Sequence, residues 1–168
     1  MDIILEELTA GLPDTRQLAR IAIRLLVAML LGAVVGIQRE QTGKPAGMRT
    51  HMLVALGAAL FVLAPVEAGM TSDDLSRVIQ GLATGIGFIG GGAILKLSEE
   101  REIQGLTTAA GIWMTAAMGV AAGLGRIGMA LLSALLTWFI LAVVGQAEHR
   151  ISARRAARDT TESRGEAR

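Results

Sequence analysis

Apolar residues in this chain gather into long runs separated by short polar stretches, a pattern that predicts helices buried on every side. Five such segments can be traced, at about Ala19–Ile37, Thr50–Val66, Val78–Leu95, Gly105–Gly125 and Ile127–Gln146. A helix needs about 20 mainly apolar residues to cross a bilayer. The last three segments reach that length comfortably, and the first does so only if Arg24 lies within it. The second is shorter, because His51 and Glu67 bracket 15 uncharged residues, so it is expected to be less tilted or partly re-entrant.

The third segment settles the class. Six of the 18 residues from Val78 to Leu95 are glycine, and none is charged. In water each interior glycine costs a helix about 1 kcal/mol relative to alanine. In a bilayer the backbone must satisfy its own hydrogen bonds, so helix is the default and glycine lets a neighbouring helix approach. Within this run Gly85-Ile-Gly-Phe-Ile-Gly90 matches the dinucleotide-binding pattern G-x-G-x-x-G. That pattern requires a preceding strand, and Asp73-Asp-Leu-Ser-Arg77 reads instead as a polar loop or helix start. The fold class expected is therefore all-α: a polytopic membrane protein built as a five-transmembrane-helix bundle.

Basic residues orient it. The loops after segments one and three and the C-terminal tail carry eleven Lys and Arg residues, whereas the opposite side carries Arg16, Arg20, Arg77 and Arg126. The positive-inside tendency then places the N-terminus outside and the C-terminus in the cytoplasm. Residues 1–18 read as an acidic interfacial segment with an apolar side, residues 19–146 as the membrane domain, and residues 147–168 as a basic, disordered cytoplasmic tail.

Composition narrows the chemistry. The chain has 168 residues, a hydrophobic share of 52%, a net charge of +1 and no cysteine. This gives no sign of a nucleic-acid partner and excludes disulfide and thiolate chemistry. The two histidines, His51 and His149, lack zinc-motif spacing. No Asp or Glu lies in any apolar segment, and no nucleophile–base pair is evident, so neither an enzyme nor a cofactor is expected. A divalent-cation path usually offers carboxylates, and only neutral oxygens are available here; any metal ligands stay unidentified.

Candidate interaction residues fall into three groups. Gly43, Pro45 and Gly47 shape the first loop, where Glu40 stands between Arg39 and Arg49 and offers either a small buried ion network or ordinary interfacial anchoring. Arg24, about 7 Å inside segment one, is expected to snorkel outward; facing the bundle, it would need carbonyls, Gln80 or Thr84 as acceptors. In segment three Gly85, Gly87 and Gly91 give small-residue spacing, with Gln80 and Thr84 four apart. In segment four Thr107 and Thr108 supply hydroxyls near Trp113.

Four ordered stretches resemble the MgtC/SapB family of bacterial inner-membrane proteins. They are Leu31-Gly-Ala-Val-Val-Gly-Ile-Gln-Arg-Glu40, Gly43-Lys-Pro-Ala-Gly-Met-Arg-Thr-His51, Thr84-Gly-Ile-Gly-Phe-Ile-Gly-Gly-Gly-Ala-Ile-Leu95 and Gln104-Gly-Leu-Thr-Thr-Ala-Ala-Gly-Ile-Trp-Met-Thr-Ala-Ala-Met-Gly119. The family usually has a small residue, often alanine, where Gly91 or Gly92 stands. The resemblance implies a five-helix inner-membrane domain and growth at low magnesium. In some members it implies virulence and control of the proton-translocating ATP synthase. Better-known members add a C-terminal cytoplasmic domain where this sequence has a short tail. The reading that follows is a non-enzymatic protein of magnesium or envelope homeostasis, acting in the lipid bilayer through helix contacts with itself, as a homo-oligomer, or with a membrane-protein partner. The alternative is a magnesium or other ion transporter with a path along Gln80, Thr84, Thr107 and Thr108.

Overall fold

The computed structural model describes residues 3–4, 14–96 and 103–145. The tail, the loop residues 97–102 and most of the expected interfacial segment lie outside the described residues. Five long helices follow in order: α1 (Thr15–Gln41), α2 (Met48–Glu67), α3 (Ser72–Gly92), α4 (Leu106–Gly123) and α5 (Ile127–Phe139). The last runs on as a π-helical turn, Ile140–Val144. Between α3 and α4, β1 (Leu95–Lys96) and β2 (Ile103–Gln104) pair antiparallel, Leu95 opposite Gln104.

Helix ends explain where the sequence boundaries shift. Asp14 caps α1 by accepting from the Gln17 N–H at 2.6 Å, so the helix starts at Thr15 and takes in residues 15–18 of the expected interfacial segment. Arg24 thus lies well inside a 27-residue helix. Segment two is neither short nor broken: α2 runs 20 residues and includes both brackets, His51 and Glu67. His51 was misleading as a boundary because it is a buried bundle residue. The Gln17 amide donates to the Glu67 carboxylate, fastening the start of α1 to the end of α2.

Segment three changes most. α1, α2, α4 and α5 with its π-turn are each long and apolar enough to cross a membrane. α3 is not in that set, contrary to the expectation that it qualifies comfortably. It begins earlier, at Ser72, with Asp73, Asp74 and Arg77 in its first turns, and ends at Gly92. The Thr71 hydroxyl accepts from the Asp74 N–H, a cap that fixes this polar start.

Small residues hold the bundle together. A Cβ at Gly32 would lie 2.5 Å from the His51 carbonyl oxygen, and one at Gly36 would run into the Met48 backbone. On the other side of α2, a Cβ at Gly119 would strike the Ala55 carbonyl, and one at Gly123 would lie 2.5 Å from that of Ala59. α2 is therefore clamped between two G-x-x-x-G faces, Gly32/Gly36 of α1 and Gly119/Gly123 of α4. Such close backbone approach drives helix association where lipid removes the hydrophobic term. Ala28, Val35, Ala55, Ala59, Met118, Ala122 and Ala130 fill the space between. Leu26, Leu30, Leu53, Phe61, Leu131 and Leu135 point outward, as side chains facing acyl tails should.

Candidate functional site: a buried polar cluster at the α1–α2–α4 junction

Two polar side chains, Arg39 and His51, reach α4 where α1 ends and α2 and α4 begin, and Gln38 beside Arg39 reaches the end of α5. Arg39, two residues from the end of α1, is 4% exposed and donates from Nη2 to the Thr108 Oγ1 at 2.5 Å. His51, in the first turn of α2, is wholly buried, with Nδ1 2.7 Å from the Thr115 Oγ1. Gln38 donates from Nε2 to the Leu141 carbonyl at 3.0 Å, within the widened π-turn after α5. Thr108, Gly111 and Thr115 share one face of α4, since residues three or four apart stack along a helix. Gly111 leaves room there, its Cβ position lying 3.5 Å from the His51 Cε1.

The Thr115 hydroxyl donates to its own helix at the Gly111 carbonyl, 2.8 Å away, and pairs with His51 Nδ1. Among the described residues three buried atoms here have no partner: Gln38 Oε1, Arg39 Nε and His51 Nε2. Such atoms are costly away from water unless something satisfies them.

The ion network, one of the two readings of this loop, does not form among the described residues. Glu40 turns away from both arginines and accepts at Oε2 from the Met48 N–H at 3.2 Å, capping α2. Residue 40 sits about 100° around the helix from residue 39, so the two cannot face the same neighbour. Arg49 is exposed. Among the described residues the one ion pair is Arg77–Asp74, at 3.8 Å and exposed. Arg24 faces the bundle rather than snorkelling free: its Nη1 donates to the Gly123 carbonyl at 3.2 Å, and its guanidinium packs on Gly125. It serves the C-terminal end of α4, where carbonyls lack helical partners.

The residues expected to line an ion path are scattered. Gln80, Thr84 and Thr107 are exposed, and Thr108 alone is buried. The Thr84 hydroxyl donates to its own helix, at the Gln80 carbonyl. Gly85, Gly87 and Gly91 also stand on open faces: a Cβ at any of them meets nothing within 4 Å. Trp113, half exposed, borders an apolar cavity of about 160 Å³ between α3 and α4, together with Ile79, Leu82, Ile86, Ala116 and Val120. The sequence reading thus found Arg39 and Thr108 but missed Gln38 and His51 as partners of one cluster. The seven-residue spacing of Thr108 and Thr115, with Gly111 between, was the available signal.

Helices clamped at glycine, an outer surface of leucine and phenylalanine, and polar side chains turned inward define a multi-pass helical membrane protein. Comparison with known proteins gives the particular family. The MgtC family profile matches residues 25–150, and the chain belongs to the MgtC family. It is 46% identical over 132 residues to Protein SrpB of Synechococcus elongatus, covering 72% of either chain. It is 36% identical to YhiD of Escherichia coli K12, named as a candidate magnesium transporter, over 79% of this chain and 64% of that one. To Protein MgtC of Salmonella typhimurium it is 38% identical, over 77% of this chain and 54% of that one. The chain thus spans little more than half the length of MgtC. No solved structure matches it at a significant level.

Proposed function

We propose that this protein is a non-enzymatic, multi-pass component of the bacterial inner membrane that supports magnesium or envelope homeostasis through helix–helix contacts made by α3. The observation that carries this reading is the uncovered face of α3. Gln80, Thr84, Gly87 and Gly91 follow one another at helical spacing, Gly85 stands on the adjoining side of the same uncovered surface, and all five are exposed in the protomer. Polar and glycine residues on a membrane helix are stabilised when a second helix covers them. With that face covered, α3 completes a fifth span, and the N-terminus lies outside and the C-terminus in the cytoplasm, as the basic residues favour. Magnesium enters through YhiD, by its name.

Gly85→Leu is the test. Gly85 has open space around it, so the variant should fold with the wild-type melting temperature but lose assembly in native mass spectrometry or cross-linking. Unchanged assembly and unchanged growth at low magnesium would remove α3 from the mechanism.

The name of YhiD favours transport as the second reading. Sealed liposomes carrying the protein and an internal magnesium indicator separate the two. The contact mechanism expects flux no greater than in empty liposomes. Saturable flux above that control would establish transport instead.

A further inference from the structure

We propose that the first turn of α4, with the Arg39 guanidinium against it, is a binding site for a phosphate-class anion. The first observation is a buried cation without a counter-charge among the described residues. Arg39 is 4% exposed, its Nε has no partner, and among the described residues no carboxylate lies within ion-pair distance. One neutral hydroxyl, that of Thr108, is its bonded neighbour. A buried guanidinium normally has an anion beside it, because its desolvation is repaid only by opposite charge and hydrogen bonds.

The second observation is what Arg39 is aimed at. Thr108 is the third residue of α4, so the guanidinium reaches the turn whose N–H groups have no helical acceptor. Gly105, at the cap, has φ +94° and no side chain to accept from them. A side chain is barred there, since a Cβ would run into the Ala93 carbonyl. Among the described residues the N–H groups of Leu106, Thr107 and Thr108 have no acceptor. Glu40, the neighbouring carboxylate on α1, is held by the Met48 N–H of α2 instead.

These parts make one site. Backbone N–H groups and the positive end of an 18-residue helix favour a tetrahedral oxyanion. The buried guanidinium, bonded to the Thr108 hydroxyl of the same turn, supplies the full charge behind them. Leu106 and Thr107 are exposed, so the turn is open to its surroundings. The site lies at the end of the bundle, where α1 ends and α4 begins, and it would accept either a lipid phosphodiester or free phosphate.

The test uses the full chain in detergent and counts retained ligands by native mass spectrometry. The probes are phosphatidylglycerol, a diacylglycerol with the same acyl chains and no phosphate, and inorganic phosphate. Phosphatidylglycerol retained in preference to the diacylglycerol supports a lipid headgroup; inorganic phosphate retained alone, or displacing the lipid, supports the free anion. In either case Thr107→Glu, which tethers a competing carboxylate to the open turn, should weaken binding about tenfold, equivalent to about 1.4 kcal/mol. Arg39→Gln should do the same, and Arg39→Lys should restore part of the loss. Thr107 is exposed, so its variant keeps the test valid if Arg39→Gln fails to fold. Retention of neither phosphate probe, or retention unaffected by Thr107→Glu, overturns the proposal.

Discussion

Gly36→Val should prevent α1 and α2 from docking and leave little folded protein in the membrane. A Cβ at Gly36 already meets the Met48 backbone, and backbone cannot rotate aside as a flexible side chain can. Overpacking a tight interior typically costs about 1–3 kcal/mol, and a β-branched group against main chain belongs at or above the top of that range. Docking of α1 on α2 also brings Arg39 and His51 towards the same face of α4, so the loss extends to the polar cluster. Gly81→Val is the matched control, because a Cβ there meets nothing within 4 Å. Thermal unfolding in detergent should show a large fall in midpoint for the first variant and little change for the second. Equal midpoints would refute the clamp.

The second large effect separates two adjacent threonines. Thr108→Val keeps the shape of the side chain but removes the hydrogen bond that the buried Arg39 guanidinium makes to it. A hydrogen bond to a charged group contributes about 1.5–3 kcal/mol, and its loss should lower stability by about that amount. Thr107→Val alters an exposed hydroxyl one residue away and should be close to neutral. Unfolding of the two variants under the same conditions gives the comparison, and similar values would mean that the Arg39–Thr108 bond contributes nothing to stability. The contrast also bears on the sequence reading, which treated both residues alike as hydroxyl sources.

That reading recovered the membrane class, the number of long helices and the family because each rests on properties summed over many residues. Apolar run length is such a property, and four motifs in fixed order are another. It failed where a single side chain decides. His51 looked like the edge of a segment because hydropathy scores residue type and ignores which way a residue faces. Glu40 looked like an ion-pair partner because it stands next to Arg39 in sequence, although neighbours in a helix point apart. The glycines of α3 drew attention by their density, whereas the glycines that clamp the bundle, Gly32/Gly36 and Gly119/Gly123, are only two per helix. Spacing alone cannot tell a glycine pressed against a neighbour from one left open. Arg24 is the intermediate case: outward snorkelling was the expectation, carbonyls were among the acceptors named for the alternative, and only the fold identifies that of Gly123.

The uneven hold on α3 has a consequence for how variants of this protein behave. Among its described residues only Ile86 and Gly90 are buried, whereas α1 and α4 bury seven and nine. Folding and contact-making are therefore carried by different parts of the chain. A survey of substitutions scored by expression or melting would register the clamp and the polar cluster and pass over the outer surface of α3. A survey scored by growth would find both. Positions that are silent in the first and harmful in the second would trace the surface through which the protein meets the rest of the cell.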